Sequence, residues 1–325
     1  MPQRVIMDTH KPLVLLTGQI RDETTPRLER LFPDLRFIDG REIEVCNRHL
    51  PEATIMLGVP SVGQLVEAKK LRWVQLLTAG VPQKFREPAR DRGLTVTNLA
   101  GLFGAGIAEH VLCLMMTLSR HVHTAIRNQF EERWEKELAR IVRDIRGRTV
   151  GIIGLGDIGR GVGRLAQAHG MRVVGIRRTS RRTPFVDHVY AFDELETMLA
   201  EIDFLVVAAP LTAHTRGLIG PEEFANMKKG VFVVNVGRGP IIQETALLEA
   251  LNSGHVAGAA LDVFEKEPLA PGHPLWSIPQ VIVSPHYSGD NIYETTLPTD
   301  RFIRNLRLWL KGEPLENVVD LERGY

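Results

Sequence analysis

Three residues have the types that acid–base chemistry on an organic acid requires. Arg238 carries a guanidinium that is always charged and fits a carboxylate or carbonyl oxygen in a planar fork. His286 is a usable proton donor, since histidine ordinarily titrates near pH 6.5, and Glu267 supplies the carboxylate that favours a charged imidazole and fixes its tautomer. Transferring a hydride from a nicotinamide to a keto acid needs those three roles: a cation, a proton donor and a group that keeps the donor protonated. A place for the nicotinamide is suggested upstream. Gly154, Gly156 and Gly159 have the spacing of the dinucleotide fingerprint, one for a tight turn, one for close approach of backbone amides to a pyrophosphate, one for close packing of the next helix.

The elements around these residues decide whether the spacing means anything. Val150, Ile152 and Ile153 form a short apolar run that reads as a buried strand ending at Gly154. A helix is expected over 157–169, stopped by Gly170, with its unpaired amino-terminal N–H groups aimed at the phosphates, and a second strand over 172–176 completes a βαβ unit. The alternation continues with strands at 203–208, 231–236, 256–263 and 281–284 and helices at 193–201, 221–227 and 244–252. In a doubly wound sheet ligands gather at the carboxyl ends of the strands, and Pro210, Arg238, Asp262 with Glu267, and His286 all follow successive strands.

Residues 12–99 read as a smaller α/β unit, with strands at 13–17, 54–58, 73–77 and 94–97 separated by polar helical stretches such as 25–31 and 61–70. The small residues Ala79, Gly80 and Val81 after one strand offer backbone N–H groups to an anion, with a plain turn as the alternative. An apolar helix over 101–120, followed by a charged stretch holding Phe130 and Trp134, reads as a connector with one face covered by the other domain or a second subunit. After Ser288 an amphipathic helix presents Phe302, Ile303, Leu306 and Leu310 on one face. It is expected to pack back on the first domain, so the dinucleotide domain (101–289) is inserted into a substrate domain (1–100 and 290–325).

Composition narrows the partners. A net charge of +1 gives no global reason for nucleic acid or membrane binding. Cys46 and Cys113 lie far apart with no metal or disulfide spacing and read as buried thiols of a reducing cytoplasm. The amino terminus lacks the apolar core of a signal peptide, and the most apolar helix contains Glu109 and His110 and is too short to span a bilayer.

The motifs Leu77-Thr-Ala-Gly-Val81, Ala108-Glu-His110, Gly154-Leu-Gly-Asp-Ile-Gly159, Asn235-Val-Gly-Arg-Gly239, Leu261-Asp-Val-Phe-Glu-Lys-Glu-Pro268 and Ser284-Pro-His286, in this order, make nearly the whole chain resemble the D-isomer-specific 2-hydroxyacid dehydrogenases, the family of glyoxylate/hydroxypyruvate reductases and D-3-phosphoglycerate dehydrogenases. The resemblance implies Arg238, Glu267 and His286 as catalytic residues, and the amides of Ala79, Gly80 and Val81, with Arg238 and His286, as the substrate site. It implies cofactor contacts at Asp157, Ile158, Pro210, Val236 and Asp262, and the candidate set also holds Thr215, Gly237 and Gly289. It further implies a homodimer built through the connector helix, with the segment near Trp134 reaching the partner subunit.

The chain departs from an NAD-type pattern at one place. Where an acidic residue would accept from the ribose hydroxyls, about 20 residues past the fingerprint, it has Arg177 and Arg178, followed by Thr179, Ser180, Arg181 and Arg182. Arginines and hydroxyls pair with the extra phosphate of NADP, whereas an acid repels it, so the sign favours NADP with NAD as the second choice. Side-chain selectivity is expected from Leu77, Phe103 and Tyr287, and Phe103 argues for an apolar wall and weak use of 3-phosphohydroxypyruvate. The competing readings are a nucleotide-sensing protein like the corepressors of this fold, against which the intact trio and short flanks count, and a formate- or phosphite-type dehydrogenase.

Overall fold

Runs of β-branched and aliphatic residues alternating with polar helical stretches produce two parallel sheets. In the computed structural model the described residues are 11–18, 20–178, 182–290 and 296–323. The amino-terminal stretch weighed as a leader, and Thr179, Ser180 and Arg181 of the basic run, lie outside them. The chain divides into one unit of Met1–Leu102 with Ile292–Tyr325 and another of Phe103–Asn291.

In the first unit, strands β1 (Leu13–Leu16), β2 (Arg36–Asp39), β3 (Ala53–Leu57), β4 (Trp73–Gln75) and β5 (Thr95–Thr97) pair in parallel in the order β2-β1-β3-β4-β5. They are connected by α1 (Thr24–Leu31), α2 (Ile43–His49), α3 (Val62–Glu67) and α4 (Gln83–Asp91). Side chains alternate across the sheet as the pleat dictates. Leu13 and Leu15 enter one core with Met56 and Val74, while Val14 and Leu16 enter the other with Ile55 and Trp73. The sequence reading did not include β2 and α2, because Arg36-Phe-Ile-Asp39 at the sheet edge has two charged ends and too few apolar positions to show a period.

The second unit begins with α5 (Gly104–Ser119) and α6 (Val122–Phe130), then builds strands β6 (Thr149–Ile153), β7 (Arg172–Ile176), β8 (His188–Tyr190), β9 (Phe204–Val207), β10 (Val231–Asn235), β11 (Val256–Leu261) and β12 (Val281–Val283). Helices α7 (Asp157–Ala168), α8 (Leu195–Glu201), α9 (Pro221–Asn226) and α10 (Glu244–Asn252) connect them. All seven strands are parallel, in the order β12-β11-β10-β9-β6-β7-β8. The order reverses between β6 and β9, which makes that junction the switch point where a crevice opens at the carboxyl edge. The three-residue edge strand β8 is an addition to the predicted set.

One expectation for the connecting helix changes. Its inner face, with Ile107, Ala108, Val111, Leu114, Met115 and Leu118, packs into the core of its own unit against Val150, Ile152 and Val162. Cys113 falls between those positions on the 3.6-residue period, and it is exposed instead of buried; Cys46 is buried, which pushes its thiol pKa up. No helix among the described residues is long and apolar enough to cross a membrane.

The last helix, α11 (Leu297–Lys311), returns to the first unit. Phe302, Ile303 and Leu306 join the core around Trp73, with ring centroids of Trp73 and Phe302 5.3 Å apart, whereas Leu310 points outward and is exposed. A buried polar network locks this return. The Trp73 indole donates to Thr97 Oγ1 (2.9 Å), Thr97 Oγ1 donates to Gln75 Oε1 (2.8 Å), and Asn305 Nδ2 donates to the same oxygen (3.0 Å). Asn305 also holds Glu316 through its backbone N–H and carbonyl, so β4, β5, α11 and the tail share one set of bonds.

Candidate active site

The glycine fingerprint connects β6 to α7 at the switch point. Gly154 has φ +98°, and a Cβ there would lie 2.8 Å from the backbone of Ala209 just past β9, so glycine is required twice over. A Cβ on Gly159 would meet the Gly154 carbonyl oxygen at 2.1 Å, which is the close packing of α7 on the turn. Gly156 differs: a Cβ there meets nothing within 4 Å, so the space beside the amino end of α7 is open. A missing side chain where the protein leaves room, beside first-turn N–H groups with no helical acceptor, fits a pyrophosphate. The Asp157 carboxylate lies over Gly104 at the start of α5, favoured by that helix's positive end, which leaves the Asp157 N–H on the α7 turn.

The three residues predicted to do chemistry all stand in loops after β10, β11 and β12. After β10, Asn235 folds the chain on itself: its Oδ1 accepts from Gly237 N (3.0 Å) and its Nδ2 donates to the Arg238 carbonyl (3.2 Å). This Asx-type turn presents Arg238, whose Nη1 donates to the Gly237 carbonyl at 2.6 Å. Burial pushes the Arg238 pKa down while the Glu267 carboxylate opposes it, and arginine remains a cation in either case. Gly239 lets this loop cross the next, since a Cβ would lie 1.9 Å from the Phe264 backbone.

Glu267 accepts from Phe264 N through Oε1 (3.0 Å) and meets His286 Nδ1 through Oε2 at 2.7 Å. With Nδ1 engaged by a carboxylate, the imidazole is oriented and its Nε2 has no protein partner among the described residues. The His286 side chain is 48% exposed, so Nε2 is open to a ligand. His286 has φ +54°, a left-handed conformation uncommon for a residue with a side chain.

Several residues of the cofactor set are placed less simply. Thr215 accepts from Thr212 N (2.8 Å) and donates to the Pro210 carbonyl (2.8 Å), closing the turn after β9 and leaving Pro210 exposed. Val236 is buried in the core, and Gly237 sits against the Ala209 carbonyl, where a Cβ would approach to 2.7 Å. Ile158 is half-buried on the core around β6, and Gly289 rests near Phe103 and Ile107. Asp262 is fully buried, and both carboxylate oxygens accept hydrogen bonds from residues 284–288. Beyond β7, Arg177 Nη1 donates to Thr183 Oγ1 (3.3 Å), and Arg178 is exposed.

In the first unit, Ala79, Gly80 and Val81 follow β4, and their three N–H groups have no acceptor among the described residues. Their carbonyls are occupied: Asn98 Nδ2 donates to Ala79 O (2.7 Å), and Thr78 Oγ1 donates to Gly80 O (2.7 Å). Asn98 is itself fixed, its Oδ1 accepting from Ala100 N at 3.1 Å and its own N–H donating to Asn317 O. Three unpaired donors beside pinned carbonyls suit an anion. Asn98 and Thr78 were not singled out from sequence; the available signal was a polar residue just past each of two adjacent strands.

Two concavities of the described residues lie away from these loops, one lined by Arg143, Lys228 and Gly230 at the amino ends of β9 and β10, the other by residues beside β8.

Fold and site together define a dinucleotide-binding α/β protein with a histidine–carboxylate pair at the carboxyl edge of its sheet. The NAD binding domain model of the D-isomer specific 2-hydroxyacid dehydrogenases matches residues 112–288. A D-3-phosphoglycerate dehydrogenase of Archaeoglobus fulgidus is 33% identical over 95% of this chain, which spans only 59% of that relative's length. A glyoxylate reductase of Korarchaeum cryptofilum is 31% identical, covering 96% of this chain and 97% of the relative. A D-isomer specific 2-hydroxyacid dehydrogenase of Xanthobacter autotrophicus Py2, solved with NADPH and MES, is 32% identical with a TM-score of 0.81, covering 98% of this chain and 100% of that one. The chain belongs to the D-isomer specific 2-hydroxyacid dehydrogenase family.

Proposed function

We propose that this chain reduces a small 2-keto acid, of the size of glyoxylate or hydroxypyruvate, to its D-2-hydroxy acid with NADPH in preference to NADH. The observation that carries the reading is the 2.7 Å contact between His286 Nδ1 and Glu267 Oε2, which leaves Nε2 facing outward beside a loop series that also holds Arg238. When bound, a reduced nicotinamide supplies the hydride. Arg238 holds the substrate carboxylate or polarises the carbonyl oxygen, and His286 Nε2 delivers the proton that oxygen takes up as the hydride arrives at carbon. Glu267, bonded to His286 Nδ1, keeps the ring in place with Nε2 toward the substrate. The free amides of Ala79, Gly80 and Val81 bind the carboxylate of the substrate, acting as hydrogen-bond donors without a side chain.

The preference for NADPH rests on Arg177 and Arg178 at the end of β7 and on the absence of an acid there. The Xanthobacter relative solved with NADPH supports it. Phe103, Leu77 and Tyr287 are proposed to set side-chain selectivity, against a phosphorylated substrate. We also propose a homodimer, because Val122, Ile126, Phe130 and Trp134 on and after α6 expose apolar surface, the last two at 84% and 87%, and a cytoplasmic location, since Cys46 and Cys113 are free thiols.

Initial rates of NADPH and NADH oxidation with glyoxylate, hydroxypyruvate, pyruvate, 3-phosphohydroxypyruvate and a bulky 2-keto acid test the reading. Turnover of the small acids with NADPH ahead of NADH is expected, and Arg177→Asp should reverse the cofactor ratio. Binding of NADPH with no turnover of any keto acid would transfer the weight to a sensing role.

A further inference from the structure

His110, half-buried on α5, has no part in the chemistry described so far, yet its Nε2 lies 3.3 Å from Ser284 Oγ, two residues before His286. Ser284 Oγ donates to Asp262 Oδ1 at 2.6 Å, a short bond between groups that are 3% and 0% exposed. A serine hydroxyl has one hydrogen, and Asp262 takes it. The contact with His110 therefore requires His110 Nε2 to carry a hydrogen and donate to the remaining lone pair of Oγ. The tautomer is fixed by counting protons. Burial holds the His110 pKa below its ordinary value, with Asp262 opposing, so the neutral ring with hydrogen on Nε2 is the form at neutral pH.

Asp262 at the other end of this relay holds the same loop twice more. Tyr287 N donates to Oδ1 (3.3 Å) and Ser288 N donates to Oδ2 (3.1 Å). His286, between these anchors, donates its own N–H to Ser284 O and sits at φ +54°. A left-handed residue with a side chain persists only where its surroundings over-determine it, and here the surroundings are Asp262 with Ser284. The Tyr287 ring closes the arrangement, edge-on to His110 with centroids 5.4 Å apart.

We propose that His110 and Ser284 are positioning residues for the proton donor: the relay from His110 Nε2 through Ser284 Oγ to Asp262 holds residues 284–288 so that His286 keeps its left-handed conformation and its bond to Glu267. The inference rests on His286 being the proton donor. It makes Asp262 a hub of the loop, acting on the reaction through His286, beyond any contact with the cofactor.

The test combines kinetics with histidine-selective long-range proton–nitrogen NMR on the full chain, using Ser284→Ala, Ser284→Thr, His110→Leu and His110→Gln. Ser284→Ala should lower kcat on the order of 10- to 100-fold, with KM for the keto acid and Kd for NADPH within about twofold of the wild type. Ser284→Thr keeps the hydroxyl and should restore kcat; His110→Gln, whose Nε2 also donates, should be milder than His110→Leu. The NMR should find His110 as the Nε2–H tautomer and should lose the hydrogen-bonded Nδ1 signature of His286 in Ser284→Ala. Wild-type kcat in folded Ser284→Ala, Ser284→Thr as impaired as Ser284→Ala, or His110 protonated on Nδ1 alone would each overturn the proposal. A wild type that turns over no keto acid would overturn the reaction assignment instead, and the NMR arms would still decide whether the relay holds His286.

Discussion

Both units are parallel sheets with ligand-facing loops after their strands, but they supply different chemistry. After β10, β11 and β12 of the seven-stranded sheet come Arg238, Glu267 and His286, ionisable side chains with one hydrogen-bonded pair among them. After β4 of the five-stranded sheet come Ala79, Gly80 and Val81, which offer only main-chain N–H groups, and the side chains that matter, Thr78 and Asn98, work by engaging the carbonyls. Under the proposed function, the seven-stranded sheet would carry the proton chemistry and the five-stranded sheet would recognise the anion through main-chain N–H groups alone. Damage to the first should appear in kcat and damage to the second in KM.

The largest effect that sharpens this division is expected from Glu267→Gln. Loss of the anion beside His286 should lower kcat on the order of 100-fold, and equal loss in KM and kcat would blur the distinction. Asn98→Ala comes next: it frees Ala79 O, and steady-state kinetics should find KM for the keto acid raised about tenfold, in line with one hydrogen bond, at nearly unchanged kcat. A fall in kcat alone would place this loop on the chemical side.

A smaller effect concerns stability. Asn305→Ala removes bonds to Gln75 and Glu316 and should cost about 2 kcal/mol in denaturant unfolding, with an unchanged Kd for NADPH, since Asn305 lies outside the dinucleotide-binding residues 112–288. The smallest is acid sensitivity. His110, His121 and His123, all in the seven-stranded unit, have pKa values lowered chiefly by burial from an ordinary 6.5. The unfolded chain therefore binds protons that the folded unit refuses, so stability present above pH 6.5 is lost as pH falls toward the folded values. In the five-stranded unit Asp39, lowered chiefly by its bond to Arg41, loses its contribution only below its ordinary 3.8. Hydrogen exchange in mildly acidic buffer should loosen the seven-stranded unit first, and a uniform loss would contradict this.

The same contrast explains what could be read from sequence. The fingerprint glycines, the β-branched strands 149–153, 172–176 and 231–235, and the order Arg238, Glu267, His286 are legible because side-chain type carries the signal. The hold of Asn98 on Ala79 spans 19 residues and has no periodicity, and the motif Ser284-Pro-His286 carries no sign that the Ser284 hydroxyl bonds Asp262, 22 residues earlier. Edge strands β2 and β8 are too short to show alternation. The outward position of Cys113 is read only once the inner face of α5 is known.

The most direct test of the central claim is single-turnover oxidation of bound NADPH by saturating glyoxylate in the wild type and in His286→Ala. The account predicts a rate lower by about 1,000-fold in the variant, with NADPH affinity unchanged because no fingerprint atom is altered. A near-normal rate in a folded variant that binds NADPH would contradict it and remove His286 from the proton transfer.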